Sequence, residues 1–259
     1  MLFAPNAATA SIFADTKTNL TNAMTNLNAI KAIAFDADDT LWDNETYFLG
    51  VEKDMCALLA EFGDEQAISK SLFATEMANM EDYGYGAMAY TLSLVENAIK
   101  VSNGKVTAHQ IEQILELGRT LLRLDAKPLE GVEETLRQLK STNRYELVVF
   151  TKGELLTQEH KLQRSGLLPY FDHVVIVSNK QEPQYTDLCK TLNIKPNELL
   201  MVGNSLKSDV LPALKIGAWA VHIPYEVMWQ HEVIDEFEHS RMFQLTQFAE
   251  LLPLLKIGQ

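Results

Sequence analysis

The chain contains 259 residues, which suits one large domain or a domain that carries an inserted lobe. Its composition is 47% hydrophobic, so a packed core is expected and general disorder is excluded. The net charge of −13 repels phosphate backbones and anionic membranes, so we expect neither nucleic acid nor a membrane as a partner. A protein of this charge that handles phosphate needs a cation locally.

The cysteines and residues 1–29 indicate the compartment in which the protein is expected. The two cysteines, Cys56 and Cys189, lack a metal-type spacing, which indicates a reducing, cytoplasmic compartment. No stretch is long and apolar enough to cross a bilayer. Residues 1–29 lack a basic start and a long apolar core, so a secretory signal is not expected. Leu20, Met24 and Leu27 recur at helical spacing, which predicts a polar tail followed by a short helix.

The elements that follow alternate in type along most of the chain. The predicted strands are 30–35, 146–150, 173–178, 199–202 and 219–223. Helical patterns separate the later ones, at 131–141, 155–165, 183–192 and 207–216. The strands lack polar alternation, as strands buried on both faces do. The pattern therefore predicts an α/β fold, a Rossmann-like parallel sheet with helices on both faces.

One long segment interrupts this alternation. Residues 44–127 contain no convincing strand, and their helical patterns lie at 51–62, 71–80, 89–101 and 108–124. Such a segment is too long for an ordinary connection. We therefore predict a small all-helical cap domain at 44–127, inserted after the first strand. The core domain then comprises residues 30–43 and 128–259.

Polar residues follow four of the predicted strands. They are Asp36 and Asp38, then Thr151 and Lys152, then Lys180, and finally Asn204, Ser205 and Asp209. Each has an ordinary alternative as a turn former, a helix cap or a surface lysine. Because the carboxyl ends of parallel strands meet at one edge, together they predict a single site. Crowded carboxylates repel unless a cation is present, and Mg²⁺ prefers such oxygen ligands.

Four motifs in order resemble the haloacid dehalogenase superfamily, in its phosphatase branch with a helical cap after the first motif. The resemblance covers residues 30 to about 225. The motifs are Asp36-Ala37-Asp38-Asp39-Thr40, then Thr151, then Lys180 followed five residues later by Tyr185, then the segment from Gly203 to Asp209. Asn204 departs from the pattern, since Asp is usual there. The amide oxygen of Asn204 can still coordinate a cation, but it carries no charge. We therefore expect this residue to affect metal affinity.

The resemblance implies a role for each residue. Asp36 would be the nucleophile, and Asp38 the general acid and base. Phosphate would be bound by Thr151, Lys152 (through its backbone amide) and Lys180. The metal shell would comprise Asp36, Asp38 (through its backbone carbonyl), Asn204 and Asp209. The implied protein is a Mg²⁺-dependent hydrolase of phosphomonoesters, whose substrate is a small phosphorylated metabolite cleaved through an aspartyl-phosphate.

Three alternatives share this fold. Carbon–halogen hydrolysis is one, but Asp38 argues against it because a departing halide needs no proton. A phosphomutase would keep both aspartates of the first motif. A non-catalytic phosphate-binding or interaction protein is the alternative from another class. The pattern favours no oligomeric state.

Substrate selection is expected to involve the predicted cap. Tyr83 and Tyr85 flank Gly84 in a predicted loop, and Trp42 and Glu45 lie just beyond the first motif. We expect these four side chains to face the leaving group of the substrate. The alternatives are packing of a helix–helix connection for the tyrosines and hinge packing for Trp42 and Glu45.

Overall fold

A computed structural model describes residues 27–258. The prediction for the N-terminal tail lies outside these residues, apart from a short 3₁₀ turn at Leu27–Ala29. Six parallel strands form one sheet in the order β3-β2-β1-β4-β5-β6. Their bounds are β1 Ala32–Phe35, β2 Glu146–Lys152, β3 His173–Val177, β4 Leu199–Gly203, β5 Trp219–His222 and β6 Met242–Gln244. The predicted α/β parallel-sheet fold is confirmed.

The register of the central strands aligns their carboxyl ends. Phe35, the last residue of β1, pairs with Val149 of β2 and with Val202 of β4. Asp36 follows at once, and its backbone N–H donates to the Val202 carbonyl at 2.9 Å. Strand β2 continues three residues beyond Val149, through Thr151 and Lys152, so these two residues and those that follow β1 and β4 emerge at the same edge of the sheet.

The sheet is buried on both faces, as its apolar strands predict. Side chains alternate between faces along β1, so Ile33 and Phe35 join one apolar cluster while Ala32 and Ala34 join the other. The first cluster contains Leu136, Val149 and Val202. The second contains Phe150, Tyr185 and Met201. These two apolar layers fix the position of the sheet, whose carboxyl edge carries the polar residues that follow the strands.

The sixth strand was absent from the sequence prediction. Met242–Gln244 has three residues, pairs only with β5 and is not fully buried. A short edge strand buries too little apolar surface to leave a clear pattern in the sequence.

Nine α-helices complete the described part of the chain. They are α1 Glu45–Leu58, α2 Glu65–Tyr83, α3 Ala87–Val101, α4 Ala108–Leu122, α5 Val132–Ser141, α6 Leu155–Ser165, α7 Glu182–Thr191, α8 Leu211–Lys215 and α9 Leu251–Leu254. No helix within residues 27–258 is long and apolar enough to cross a membrane. Helices α1 to α4 form the insert and pack around their own apolar cluster, which includes Met55, Leu72, Leu94 and Ile114. Whether the insert behaves as a separate cap domain stays a prediction.

The helix predicted at 207–216 was wrong in its first half. Leu206–Val210 forms a π-helical turn, and α8 follows it. Ser205 begins the turn by accepting a hydrogen bond from the Ser208 N–H at 3.0 Å. Pro212 has no N–H to donate, so the chain gains little from a regular α-helix here. The widened turn carries Asp209 toward the end of β4.

Two helical glycines of the insert give a matched test of its packing. A Cβ at Gly118 in α4 would lie 2.1 Å from Thr91 Oγ1 of α3, whereas a Cβ at Gly50 in α1 would meet nothing within 4 Å. We expect Gly118→Ala to lower the free energy of unfolding by about 1–3 kcal/mol through overpacking. Gly50→Ala should raise it by about 0.5–1 kcal/mol through helix propensity. Urea denaturation of both variants checks this, and equal effects would contradict the close approach of α3 and α4.

Candidate active site

The structure brings the predicted strand-end residues to one cavity. The cavity has a volume of about 190 Å³ and lies between the carboxyl edge of the sheet and the insert. Seven predicted residues line it: Asp36, Asp38, Thr151, Lys152, Lys180, Asn204 and Asp209. Their collection at a topological switch of a parallel sheet is where such folds place their ligands.

Lys180 joins two buried carboxylates. Its Nζ contacts Asp36 Oδ1 and lies 2.8 Å from Asp209 Oδ1. Burial raises the pKa of Asp36 to about 7, and Asp209 adds to this while Lys180 opposes it. Burial alone would lower the pKa of Lys180, but Asp209 and Asp36 outweigh it and raise that pKa, so Lys180 is a cation. One lysine therefore offsets only part of the negative charge around Asp36.

Thr40 and Gly203 connect the first motif to the fourth. Thr40 Oγ1 lies 3.2 Å from both Asp36 Oδ2 and Asn204 Oδ1, and it accepts a hydrogen bond from the Asn204 N–H at 3.1 Å. A Cβ at Gly203 would fall 2.2 Å from Asp209 Oδ2, so this carboxylate lies directly on the glycine backbone. Thr40 therefore holds the turn after β1 against the fourth motif.

The donor set fits a hard divalent cation. Asp36, Asp209 and Asn204 present carboxylate and amide oxygens to one cavity, where two buried carboxylates share the single cation of Lys180. No cluster of three or more carboxylate, histidine or cysteine side chains that could hold a metal occurs among residues 27–258. Two carboxylates and an amide oxygen are nevertheless a donor set that Mg²⁺ accepts, because this ion takes few protein carboxylates and keeps several waters.

Asp38 lies in a different environment from Asp36. Its Oδ1 accepts a hydrogen bond from Trp42 Nε1 at 2.7 Å, and its Oδ2 accepts one from Gln158 Nε2 at 3.2 Å. Lys161 Nζ lies 2.9 Å from both oxygens and 2.7 Å from Asn44 Oδ1. Three donors from two segments thus fix the position of this carboxylate at the cavity wall.

The sequence prediction missed Gln158 and Lys161. They lie one turn apart on α6, and both are buried. Gln158 Nε2 also donates to Thr151 Oγ1 at 2.8 Å, so it links the first and second motifs. The sequence did contain a signal for both residues. They are polar and occupy inward positions of the helix after the second motif, where side chains are usually apolar.

Two of the four residues predicted to select the substrate do not reach the cavity. Trp42 is fully buried in the core, where its ring packs while its N–H holds Asp38, so it does not line an entrance. Tyr83 is half-exposed at the end of α2 and lies outside the residues that line the cavity. Glu45 and Tyr85 do line it. The correction for Trp42 follows from the turn after β1, which points its side chain into the core.

The side chain of Lys152 forms an ion pair with Glu232, a residue that the sequence analysis did not indicate. Lys152 Nζ contacts Glu232, whose Oε2 also accepts hydrogen bonds of 2.6 Å from Ser205 and Ser208. Burial alone would raise the pKa of Glu232, but Lys152 and the hydroxyls lower it to about 2. The side chain of Lys152 is therefore paired within the protein, and the phosphate contact expected of its backbone amide stays a prediction.

Two contacts join the insert to the core at the cavity rim. Glu154 Oε1 accepts hydrogen bonds from the backbone N–H groups of Met88 at 2.9 Å and Ala89 at 3.2 Å, at the N-terminus of α3. Lys152 Nζ lies 4.4 Å from the ring centre of Tyr85, which meets Trp229 edge-on at 6.0 Å. A carboxylate at a helix N-terminus and a cation on an aromatic face both favour this closed arrangement.

The family follows from these motifs and from a match over most of the chain. The model of the haloacid dehalogenase-like hydrolases matches residues 30–217. The chain belongs to this family. The match includes all four motifs and all the predicted strand-end residues that line the cavity, and it confirms the resemblance.

Named relatives and solved structures agree with this assignment. Glyceraldehyde 3-phosphate phosphatase of Methanothermobacter thermautotrophicus is 26% identical over 76% of this chain and 87% of its own. A haloacid dehalogenase-like hydrolase from Xanthomonas campestris is 33% identical, with a TM-score of 0.77 over 88% of this chain and 92% of its own. A hydrolase of the same family from Bacillus subtilis, solved bound to magnesium, is 16% identical with a TM-score of 0.60 over 88% and 99%. At that identity the last shows the fold alone.

The Lys161–Asp38 contact gives the second prediction. Lys161→Met removes the cation that contacts both Asp38 oxygens, and we expect the free energy of unfolding to fall by about 2–3 kcal/mol. In a double-mutant cycle with Asp38→Asn, the coupling energy should be about 1.5–3 kcal/mol, measured by urea denaturation.

The matched control is Lys190→Met. Lys190 lies 2.8 Å from Asp187 in a pair whose side chains are both 71% exposed, so its loss should change stability by less than about 0.5 kcal/mol. Additive effects of Lys161→Met and Asp38→Asn would show that the two groups do not interact.

Proposed function

We propose that this protein is a Mg²⁺-dependent phosphatase that hydrolyses a small phosphorylated metabolite through an aspartyl-phosphate. The observation that carries the proposal is the pair Asp36 and Asp38 on one cavity wall, with Lys180 against Asp36. The relatives named glyceraldehyde 3-phosphate phosphatase support the substrate class. Asp38 favours phosphate ester cleavage over carbon–halogen cleavage, because an alcohol leaving group needs a proton.

The first half of the reaction uses both aspartates. Asp36 attacks phosphorus, so a bond forms between its carboxylate oxygen and phosphorus while the ester P–O bond breaks. Asp38 donates its proton to the departing oxygen, which leaves as the alcohol. Lys180 and the Thr151 hydroxyl are placed to bind the phosphoryl oxygens, whose charge must be offset during transfer.

The second half regenerates the enzyme. Asp38, now ionised, takes a proton from water, and the water oxygen attacks the phosphorus of the aspartyl-phosphate. The bond between phosphorus and Asp36 breaks, which releases inorganic phosphate and restores both carboxyl groups. Asp38 thus serves first as acid and then as base, which requires the fixed position that its three donors provide.

Four groups of this chain would hold Mg²⁺. They are the Asp36 and Asp209 carboxylates, the Asn204 amide oxygen and the Asp38 backbone carbonyl. When bound, the cation supplies positive charge to the phosphoryl group and the nucleophile.

The test of this function uses p-nitrophenyl phosphate and an assay of free phosphate. We expect EDTA to abolish turnover and added Mg²⁺ to restore it, because the developing charge would otherwise lack its counter-ion. Asp36→Asn should lower kcat by about 10³-fold or more, since it removes the nucleophile. Release of inorganic phosphate separates hydrolysis from phosphoryl transfer within a mutase. Full activity in metal-free buffer would overturn the assignment, and retained activity of Asp36→Asn would overturn the covalent route.

Position 204 gives a prediction about metal affinity. Asn204→Asp restores a charged ligand without changing shape, and Thr40 can still contact its oxygen. We expect the Mg²⁺ concentration for half-maximal activity to fall by about tenfold, because the added charge favours the cation. Asn197→Asp is the control: it adds the same charge on an exposed residue beside the opposite end of β4. An unchanged magnesium titration in Asn204→Asp would exclude Asn204 as a ligand.

A further inference from the structure

The part of the cavity formed by the insert is acidic. Glu45 and Glu52 of α1 and Glu76 of α2 line it. Burial first, and the neighbouring carboxylates next, raise the pKa of Glu45 and of Glu76 to about 8. Among residues 27–258, none of these three carboxylates accepts a hydrogen bond or forms an ion pair. The insert side of the cavity therefore presents three carboxyl groups without a partner, and a cation bound among them would favour their ionised forms.

A buried hydroxyl lies among these carboxylates. Tyr90 is 8% exposed, lines the same cavity and packs its ring on Phe48 at 5.0 Å. Burial, and then Glu76, Glu52 and Glu45, raise the pKa of Tyr90, so its hydroxyl stays protonated. Tyr90 lies at the cavity wall, and no hydrogen bond joins its hydroxyl to another group among residues 27–258. A ligand in the cavity can therefore donate a hydrogen bond to the Tyr90 oxygen.

The cavity offers no spare cation to a second anionic group. Its three lysines lie on the core side, and each is paired with a carboxylate: Lys152 with Glu232, Lys161 with Asp38, and Lys180 with Asp36 and Asp209. No lysine, arginine or histidine of the insert lines it within the described chain. A leaving group that carries a carboxylate or a second phosphate would therefore find no unpaired cation in this cavity, and its charge would oppose ionisation of the three glutamates.

We propose that this acidic pocket, formed by Glu45, Glu52, Glu76 and Tyr90, binds a protonated amine on the leaving group of the substrate. The preferred substrates are then phosphate monoesters of amino alcohols or amino sugars. The ammonium group offsets the unpaired carboxylates and donates to the Tyr90 oxygen, while the phosphate lies at Asp36 and Lys180. This inference rests on the proposed phosphatase function and names the substrate class for the same site.

Matched substrates test the inference. The pairs are O-phosphoethanolamine against ethylene glycol monophosphate, and glucosamine 6-phosphate against glucose 6-phosphate, which differ in an ammonium group against a hydroxyl. We expect kcat/KM to favour the amine of at least one pair by about tenfold or more. Glu52→Gln and Glu76→Gln should each reduce that preference severalfold. Glu112→Gln, which removes a 79% exposed glutamate of α4, should leave it unchanged.

The outcomes separate the two proposals. Equal kcat/KM values within both pairs, or a preference that both glutamate variants retain, would overturn the amine pocket while turnover of p-nitrophenyl phosphate still supports the phosphatase. If no phosphate ester is hydrolysed, isothermal titration of the wild-type protein with the same pairs decides the inference. Tighter binding of the amine member, weakened by Glu76→Gln, supports the pocket, and equal binding rejects it.

Discussion

The contact of Lys180 with Asp36 and Asp209 is the interaction on which the rest of the site depends. It joins the segments that follow β3, β1 and β4, and all three groups are buried. Removing one partner from such a group leaves an uncompensated charge, which is strongly destabilising. The sheet order places these segments close together, and the π-helical turn brings Asp209 over Gly203. The same three side chains therefore link three strand ends and set the charge of the site.

The two aspartates of the first motif differ because their neighbours differ. Asp36 is buried beside another carboxylate, which raises its pKa, whereas Asp38 is held by Trp42, Gln158 and Lys161. Two carboxylates only two residues apart in the chain thus receive separate environments. Enzymes that assign different roles to paired carboxylates do so through such differences. The proposed division of roles rests on placement: Asp36 lies against Lys180 at the end of β1, and three donors fix Asp38 at the cavity wall.

The polar residues at the carboxyl edge of the sheet could be predicted from the sequence, because they lie directly at the ends of apolar strands. Asp36, Thr151 and Asn204 are placed by strand register alone, which a parallel sheet determines. Glu232 could not be found this way, because a long segment after β5 brings it to Lys152 by tertiary contact. Trp42 was misplaced because its sequence position is near the site while the direction of its side chain depends on the turn. The distance of a residue in sequence from the end of a strand predicts its place along the carboxyl edge of the sheet. It does not predict the direction of a side chain within a loop.

The cavity divides the recognition of a substrate between two parts of the chain. The core contributes all of the cavity's described lysines, and the insert contributes unpaired carboxylates. Such a division lets the phosphate be bound by groups near the sheet, while the insert decides which alcohol is accepted. Glu154 and Tyr85 join the two parts, because Glu154 holds the start of α3 and Tyr85 covers Lys152. Since α3 carries Tyr90, the contact that closes the insert on the core also positions the hydroxyl of the acidic pocket. Helix α3 therefore takes part both in the contact between the insert and the core and in the proposed selection of the leaving group.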